Sequence, residues 1–131
     1  MKILQKYFPE LTEIQIVQFK ELEKLFLDWN EKINLISRKN TEHFFEQHIL
    51  HSLAIAKFIQ FEENTSILDV GTGGGMPGIP LAILFPKCNF FLVDSIGKKI
   101  MVVDDIAQKL KLTNVKCKHE RAENIPQSFD F

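Results

Sequence analysis

The sequence of 131 residues has little of what marks several specialised classes of protein. It has two cysteines, Cys88 and Cys117, far apart and without C-x-x-C spacing, so we predict reduced thiols rather than a disulfide or a cysteine-ligated metal site. No eighteen apolar residues follow one another, and the amino terminus has no long apolar run before a small-residue cleavage site. Neither a transmembrane helix nor a signal peptide is therefore predicted, and we expect a cytoplasmic protein.

Neither sign of charge dominates, since the formal net charge is -1 at pH 7. The chain therefore lacks a global basic field that would indicate a nucleic-acid partner. Its carboxyl-terminal half is locally basic through Lys98, Lys99, Lys109, Lys111, Lys116, Lys118 and Arg121. Because Glu120 and Glu123 interleave with these cations, an ordinary solvated face stays open as an alternative to a phosphate-binding one.

What the sequence does contain is a glycine-rich stretch at residues 66–79, which reads SILDVGTGGGMPGI. Residues 66–70 have the composition of a short buried strand, and the glycines that follow allow backbone to approach a ligand closely. A short helix is predicted next, with Pro80 in its first turn and Pro86 beyond its end. Five glycines in eight residues are many for a bare turn, so a pocket for a nucleotide-type cofactor is favoured.

The spacing of the glycines separates two cofactor families. A dinucleotide site requires G-x-G-x-x-G, and counting from Gly71 and Gly73 the third glycine position is Met76. An NAD-dependent oxidoreductase is therefore the less favoured alternative. The pattern present is Asp69-x-Gly71-x-Gly73-x-Gly75, which resembles motif I of the S-adenosylmethionine-dependent methyltransferases. That resemblance implies a loop that passes under S-adenosylmethionine.

A second apolar strand is predicted over residues 89–93, and it ends in Asp94. Open α/β sheets bind ligands at the carboxyl ends of their strands, where a carboxylate can accept from both ribose hydroxyls of an adenosine. The alternatives are a solvated turn or a helix cap, for which Ser95 would serve as well. A helix over residues 97–111 and a third strand over residues 115–118 should follow.

The first part of the chain is predicted to be helical. Residues 1–10 are expected to be a brief lead-in, and Thr12 with Gln15 forms a capping-box signal for a helix over residues 13–31. Trp29, near the end of this helix, is expected to be a core anchor. A second helix should begin at Asn40 or Thr41 and run to about residue 59. Its apolar stripe comprises Phe45, Ile49, Leu53 and Ala56.

Two histidines lie one turn apart in that second helix. His48 and His51 could share a face and bind zinc, but a site needs at least a third ligand, and His43 alone lies near. Histidines at a packing seam or on a solvent face are the favoured interpretation. No metal is therefore predicted.

Five motifs, in order along the chain, carry a closer resemblance to one family. They are WNxxINL at residues 29–35, HILxS at 48–52, LDVGTGGGxPGIPL at 68–81, VDSxxKK at 93–99 and RAE at 121–123. Together they resemble the bacterial small-subunit ribosomal RNA methyltransferase G family, also called glucose-inhibited division protein B. The GxPGIP extension is the most specific part. The resemblance implies methyl transfer from S-adenosylmethionine to N7 of a guanine in 16S ribosomal RNA.

The resemblance also implies a fold and a set of cofactor contacts. The fold is α/β and Rossmann-like, with a parallel sheet, helices on both faces and two preceding amino-terminal helices. The implied cofactor-binding residues are Gly71, Gly73 and Gly75 beneath the cofactor, Met76 against it, Asp94 at the ribose, and Ala122 with Glu123 beside the adenine. No catalytic side chain is implied, because guanine N7 already has a free lone pair. His51 stands where many members have Asp, which leaves a role for that carboxylate open.

A single domain is expected, with a helical part over residues 1–62 and the first half of a methyltransferase domain over residues 63–131. The family's fourth strand begins near residue 128 and lies beside the first, so its later strands are expected to be missing here. Ile67, Leu68 and Val70 would then form an exposed strand edge through which chains could associate. A fragment that binds the cofactor or RNA without turnover is the remaining alternative.

Overall fold

The computed structural model describes residues 1–36, 43–125 and 128–131. Helices and strands alternate in its second half, after a helical first half. The helices are α1 (Lys2–Tyr7), α2 (Glu13–Lys32), α3 (Leu50–Leu53), α4 (Gly78–Leu84) and α5 (Gly97–Lys109), and the strands are β1 (Ser66–Val70), β2 (Asn89–Asp94) and β3 (Val115–His119). The three strands were predicted to within one residue. The β1 and β2 strands are compact apolar runs bounded by polar or glycine residues, whereas β3 alternates apolar and polar side chains.

The amino-terminal residues differ from the expected lead-in. Residues 2–7 form α1, which buries Leu4 completely in the core. The expectation was wrong because one buried residue in so short a segment leaves no apolar period to detect. The capping box of α2 is confirmed: Thr12 Oγ1 accepts from Gln15 N at 3.2 Å, and Gln15 Oε1 accepts from Thr12 N at 2.9 Å. These two bonds satisfy backbone donors that the first turn would otherwise leave unpaired.

The second predicted helix is irregular. A π-helical turn (Phe45–Ile49) precedes α3, and a 3₁₀ turn (Ala54–Lys57) follows it. Its predicted start at residues 40–41 lies outside the described residues. Ile49, Leu53 and Ala56 are buried as predicted, but Phe45 is only half-buried and Phe44 takes its place in the core. The wider π turn shifts the side chains by one position, which an ideal helical period cannot anticipate.

The strands form one parallel sheet in the order β1-β2-β3. Ser66 pairs with Asn89 at one end and Val70 with Val93 at the other, so β1 and β2 end together. Asp94 pairs with His119 at the end of β3. This register places the glycine stretch, Asp94 and the residues after β3 at the same edge of the sheet.

The amino-terminal helices pack onto this half of the chain. Phe19, Leu22 and Phe26 of α2 are buried in the same cluster as Phe90 and Leu92 of the sheet. Trp29, expected to be a core anchor, is instead half-buried and donates from Nε1 to Asp105 Oδ2 of α5 at 2.9 Å. The chain therefore has one continuous core, in which α2 contacts both α4 and α5. No helix in the described part of the chain is long and apolar enough to span a bilayer.

The free edge of β1 is partly covered. Leu68 N donates to Phe131 O at 2.9 Å and Phe131 N donates to Ser66 O at 3.2 Å, which is the start of a parallel pairing. Phe131 therefore lies beside β1, on the edge where a further strand was predicted, although the sheet itself has three strands. The predicted exposure is right for Val70, which is 53% exposed, and wrong for Ile67, which is 7% exposed. Association of chains through this edge has no support in the described contacts and stays a prediction.

Candidate functional site

The glycine loop, defined here as residues 71–78, connects β1 to α4. Gly71, Gly73 and Gly75 have φ angles of +68°, +59° and +97°. This left-handed region costs other residues about 1–2 kcal/mol each, because Cβ approaches the following carbonyl oxygen. The alternating glycines are therefore needed by the backbone itself, in addition to the close approach of a ligand that their spacing predicts.

The loop has an open side and a packed side. A Cβ placed on Gly71 or Gly73 would meet no atom within 4 Å. A Cβ on Gly75 would lie 2.8 Å from Ile79 Cγ1, and one on Gly74 would lie 2.7 Å from Phe26 Cε2. The open side, at Gly71 and Gly73, is where a ligand could approach the backbone, so the loop fits a cofactor such as S-adenosylmethionine.

Asp69 holds the loop from its base. Its Oδ2 accepts from Thr72 Oγ1 at 2.7 Å and from Gly78 N at 3.1 Å, so one carboxylate oxygen joins the start of the loop to the first residue of α4. Thr72 is itself buried, and its amide donates to Val93 O of β2 at 3.0 Å. The acid at the head of the motif therefore shapes the loop, a role that the sequence pattern does not show.

Asp94 joins the loop to the second strand. Its Oδ2 accepts from Gly73 N and its Oδ1 from Ile96 N, both at 2.9 Å, and the residue is 7% exposed. The alternative in which Ser95 caps the next helix is wrong, because Ile96 is the cap residue of α5 and Asp94 takes the Ile96 amide. Each carboxylate oxygen has two lone pairs, so Asp94 retains acceptor capacity for a ribose hydroxyl.

The other predicted cofactor residues lie around the same edge. Met76 is half-buried, with Sδ 3.4 Å from Ser52 Oγ of α3. Ala122 and Glu123 are exposed in a 3₁₀ turn (Ala122–Asn124) after β3, and Glu120 N ties this segment to Asp94 O at 3.1 Å. No hydrogen bond among the described residues joins Ala122 or Glu123 to the glycine loop. The structure thus brings them to the same edge without a hydrogen bond to the loop.

The histidines show no metal-binding arrangement. Within residues 1–36, 43–125 and 128–131, no group of three or more His, Cys, Asp or Glu side chains could hold a metal ion. His48 Nε2 is buried and has no hydrogen-bond partner among those residues. Burial, and secondarily the charge of His51, lowers the pKa of His48. The arrangement fits the predicted packing seam.

Asp69 should carry a measurable pH signature. Burial raises its pKa above the ordinary 3.8, the bonds from Thr72 and Gly78 oppose that shift, and the charge of Asp94 adds to it. A raised folded-state pKa means that the unfolded chain loses this proton first, so the contribution of Asp69 to stability falls as pH rises above 3.8. We therefore expect the free energy of unfolding of Asp69→Asn, relative to that of the unsubstituted chain, to increase from pH 3.8 up to the raised folded-state pKa. At higher pH this difference should stay constant.

Urea unfolding of both chains across pH 3.5 to pH 7 would measure this difference. Asp105→Asn is the matched control, because the hydrogen bond from Trp29 is the main cause that lowers the pKa of Asp105. Its stability relative to the unsubstituted chain should fall only at the acidic end of this range, as pH rises past 3.8, and then level off, which is the opposite trend. If the free energy of unfolding of Asp69→Asn, relative to the unsubstituted chain, decreased with rising pH, the raised pKa of Asp69 would be contradicted.

Two contacts at the loop could not be predicted from the sequence. Phe26 of α2 and Leu35, after its end, both face the backbone of Gly74, where a Cβ would lie 3.6 Å from Leu35 Cβ. Asn30 holds Leu35 through a hydrogen bond to its amide. The WNxxINL motif contains Asn30 and Leu35, but its spacing alone gives no indication that they lie against a loop more than thirty residues later.

The chain matches known proteins along almost all of its length. Residues 15–131 match the family model described as rRNA small subunit methyltransferase G. Ribosomal RNA small subunit methyltransferase G of Bacteroides fragilis is 57% identical over 131 residues, which is 100% of this chain and 64% of that protein. The protein of the same name from Bacteroides thetaiotaomicron is 58% identical with the same coverage. The chain thus spans 64% of the length of these relatives.

A solved structure supports the fold independently. Coclaurine N-methyltransferase bound to N-methylheliamine and SAH superposes with a TM-score of 0.57 at 19% identity, over 63% of this chain and 25% of that one. This likeness confirms the predicted Rossmann-like methyltransferase fold. Given the match over residues 15–131 and the relatives above 50% identity, the chain belongs to the rRNA small subunit methyltransferase G family.

Proposed function

We propose that this protein transfers a methyl group from S-adenosylmethionine to N7 of a guanine in 16S ribosomal RNA. One observation carries the proposal: three glycines with left-handed backbone leave an open side at Gly71 and Gly73, beside the buried carboxylate of Asp94. Membership of the rRNA small subunit methyltransferase G family supports the RNA substrate. The cytoplasm is the proposed location.

Seven residues would hold the cofactor, in the roles that the resemblance implies. Gly71 and Gly73 present open backbone beneath it, and Gly75 completes the turn. Asp94 would accept from the ribose hydroxyls with lone pairs that its own backbone bonds leave available. Met76 would contact the cofactor through its apolar side chain, and Ala122 and Glu123 would border the adenine.

The chain's contribution to the reaction is placement rather than proton transfer. When bound, S-adenosylmethionine supplies an electrophilic methyl group on a sulfonium. Guanine N7 presents a free lone pair, so no side chain has to remove a proton from it first. The residues of the site would hold the two reactants in line and exclude water, which are the proximity and preorganisation contributions to catalysis. We therefore propose no general base.

The proposed division of the domain follows the packing. Residues 63–131 supply the sheet and the cofactor-binding edge, while residues 1–62 pack onto it and reach the glycine loop at Gly74. Ribosomal RNA would approach the same edge, since the methyl group and N7 must meet there. The helical part would then lie beside the site rather than remote from it.

The proposal is tested by incubating the chain with methyl-labelled S-adenosylmethionine and 16S RNA that lacks the modification. We expect label in 7-methylguanosine after nuclease digestion and mass spectrometry, and none with Gly73→Val. Label at another position of a base would contradict the N7 assignment. Binding of the cofactor without any transfer would favour the alternative of a non-catalytic binding fragment.

A further inference from the structure

Asn30 lies in the last turn of α2 and is buried, with 8% of its surface exposed. Its Oδ1 accepts from the amide of Leu35 at 2.7 Å and from that of Ile36 at 2.9 Å. These two bonds fold the segment after the helix, residues 33–36, back against the helix end. Buried asparagine is uncommon and needs its polar atoms satisfied, so both bonds constrain this segment strongly.

The segment held by Asn30 lies against the glycine loop. A Cβ on Gly74 would be 3.6 Å from Leu35 Cβ and 2.7 Å from Phe26 Cε2. Gly74 has no left-handed φ angle, so glycine is present there for close approach rather than for backbone conformation. The side chains of Phe26 and Leu35 therefore form a wall against the middle of the loop.

The wall formed by Phe26 and Leu35 contacts a part of the glycine loop that the strands do not hold. Asp69 holds Thr72 and Gly78, and Asp94 holds Gly73, all from the side of the strands. Neither carboxylate bonds to Gly74. At Gly74 the packed side of the loop is thus set by the amino-terminal helical part, whereas at Gly75 it is set by Ile79 of α4.

We propose that Asn30 is a positioning residue for the glycine loop. By fixing the Leu35 and Ile36 amides it holds Leu35 beside Phe26, and these two side chains keep Gly74 in the conformation that leaves Gly71 and Gly73 open. The expected effect of Asn30 on the binding of S-adenosylmethionine rests on the proposed function. The expected effect of Asn30 on the conformation of the loop does not depend on the proposed function.

Amide hydrogen exchange of the whole chain tests this directly. Asn30→Ala removes the shared acceptor, so exchange at Leu35 and Ile36 should rise about tenfold or more. The amides of Gly75 and Met76, which both donate to Thr72 O within the loop, should also exchange faster, by several-fold relative to the buried β2 amides. Asn30→Asp retains the acceptor oxygens and should keep the loop close to the unsubstituted rates.

A control variant separates this effect from a general loss of stability. Leu4→Ala removes a fully buried side chain of α1 and should speed exchange of the loop and of β2 in the same proportion. The positioning role is overturned if Asn30→Ala increases amide exchange of the loop and of β2 in equal proportion. It is also overturned if Asn30→Ala increases exchange only at Leu35 and Ile36. A loop-specific increase that Asn30→Asp prevents supports it.

Titration with S-adenosylmethionine forms a second arm. The dissociation constant should rise about tenfold in Asn30→Ala and by much less in Asn30→Asp, since the loop must be ordered again on binding. An unchanged constant in Asn30→Ala would overturn the link from the loop to the cofactor. If the unsubstituted chain does not bind S-adenosylmethionine, the proposed function fails, while the exchange rates still decide the role of Asn30.

Discussion

Gly73→Val should abolish binding of S-adenosylmethionine while the chain remains folded. Gly73 has a φ angle of +59°, and a Cβ there would point into space free of other atoms within 4 Å. The branched side chain would therefore occupy the open side of the loop, where the cofactor is proposed to lie. The strained backbone should also lower the free energy of unfolding by about 1–2 kcal/mol. Calorimetric titration and thermal unfolding by circular dichroism would measure the two effects.

Two further variants separate the two effects of Gly73→Val, which are occupation of the open side of the loop and strain of the backbone. Gly73→Asn adds a side chain that tolerates left-handed backbone, so it should lose cofactor binding with a smaller loss of stability. Gly74→Ala adds a methyl group on the packed side, 2.7 Å from Phe26 Cε2, and should mainly cost stability. Retained affinity in both Gly73 variants would show that the cofactor does not lie over this glycine.

Asp94→Ala should weaken binding of S-adenosylmethionine by about 1–3 kcal/mol, the value of hydrogen bonds to a charged acceptor. The same change removes the acceptor of the Gly73 and Ile96 amides, each at 2.9 Å. The loop would thus lose its tie to β2 as well as its proposed ribose contact. A fall in the free energy of unfolding should accompany the loss of affinity, because two partly buried donors are left without a partner.

Asp94→Asn separates these two contributions. Its amide oxygen can still accept one of the two backbone bonds, so it should recover part of the stability. It cannot recover a site that needs both carboxylate oxygens as acceptors, so affinity should stay reduced. Affinity equal to that of the unsubstituted chain in both Asp94 variants would contradict the ribose assignment.

The sequence predicted well those features whose causes are local. The β1 strand, the capping box of Thr12 and Gln15, and the glycine turn after β1 each depend on residues within a few positions of one another. Apolar composition, side-chain capping and the absence of Cβ act at that range. The class of site could therefore be predicted from the amino-acid sequence alone.

The features that were missed depend on contacts between distant residues. Asn30 and Gly74 are far apart in sequence, and only the packing of α2 beside the loop shows that one supports the other. The same holds for Trp29, whose bond to Asp105 draws it to a helix seam rather than into the core. The π turn before α3 replaced Phe45 by Phe44 in the core, a shift that follows from tertiary packing and not from the helical period.

The most direct test of the account is calorimetric titration of the chain with S-adenosylmethionine and, separately, with NAD. We expect one molecule of S-adenosylmethionine to bind per chain, no detectable heat with NAD, and loss of binding in Gly73→Val. Binding of NAD in preference to S-adenosylmethionine, or S-adenosylmethionine affinity that survives in Gly73→Val, would contradict the assignment of the glycine loop.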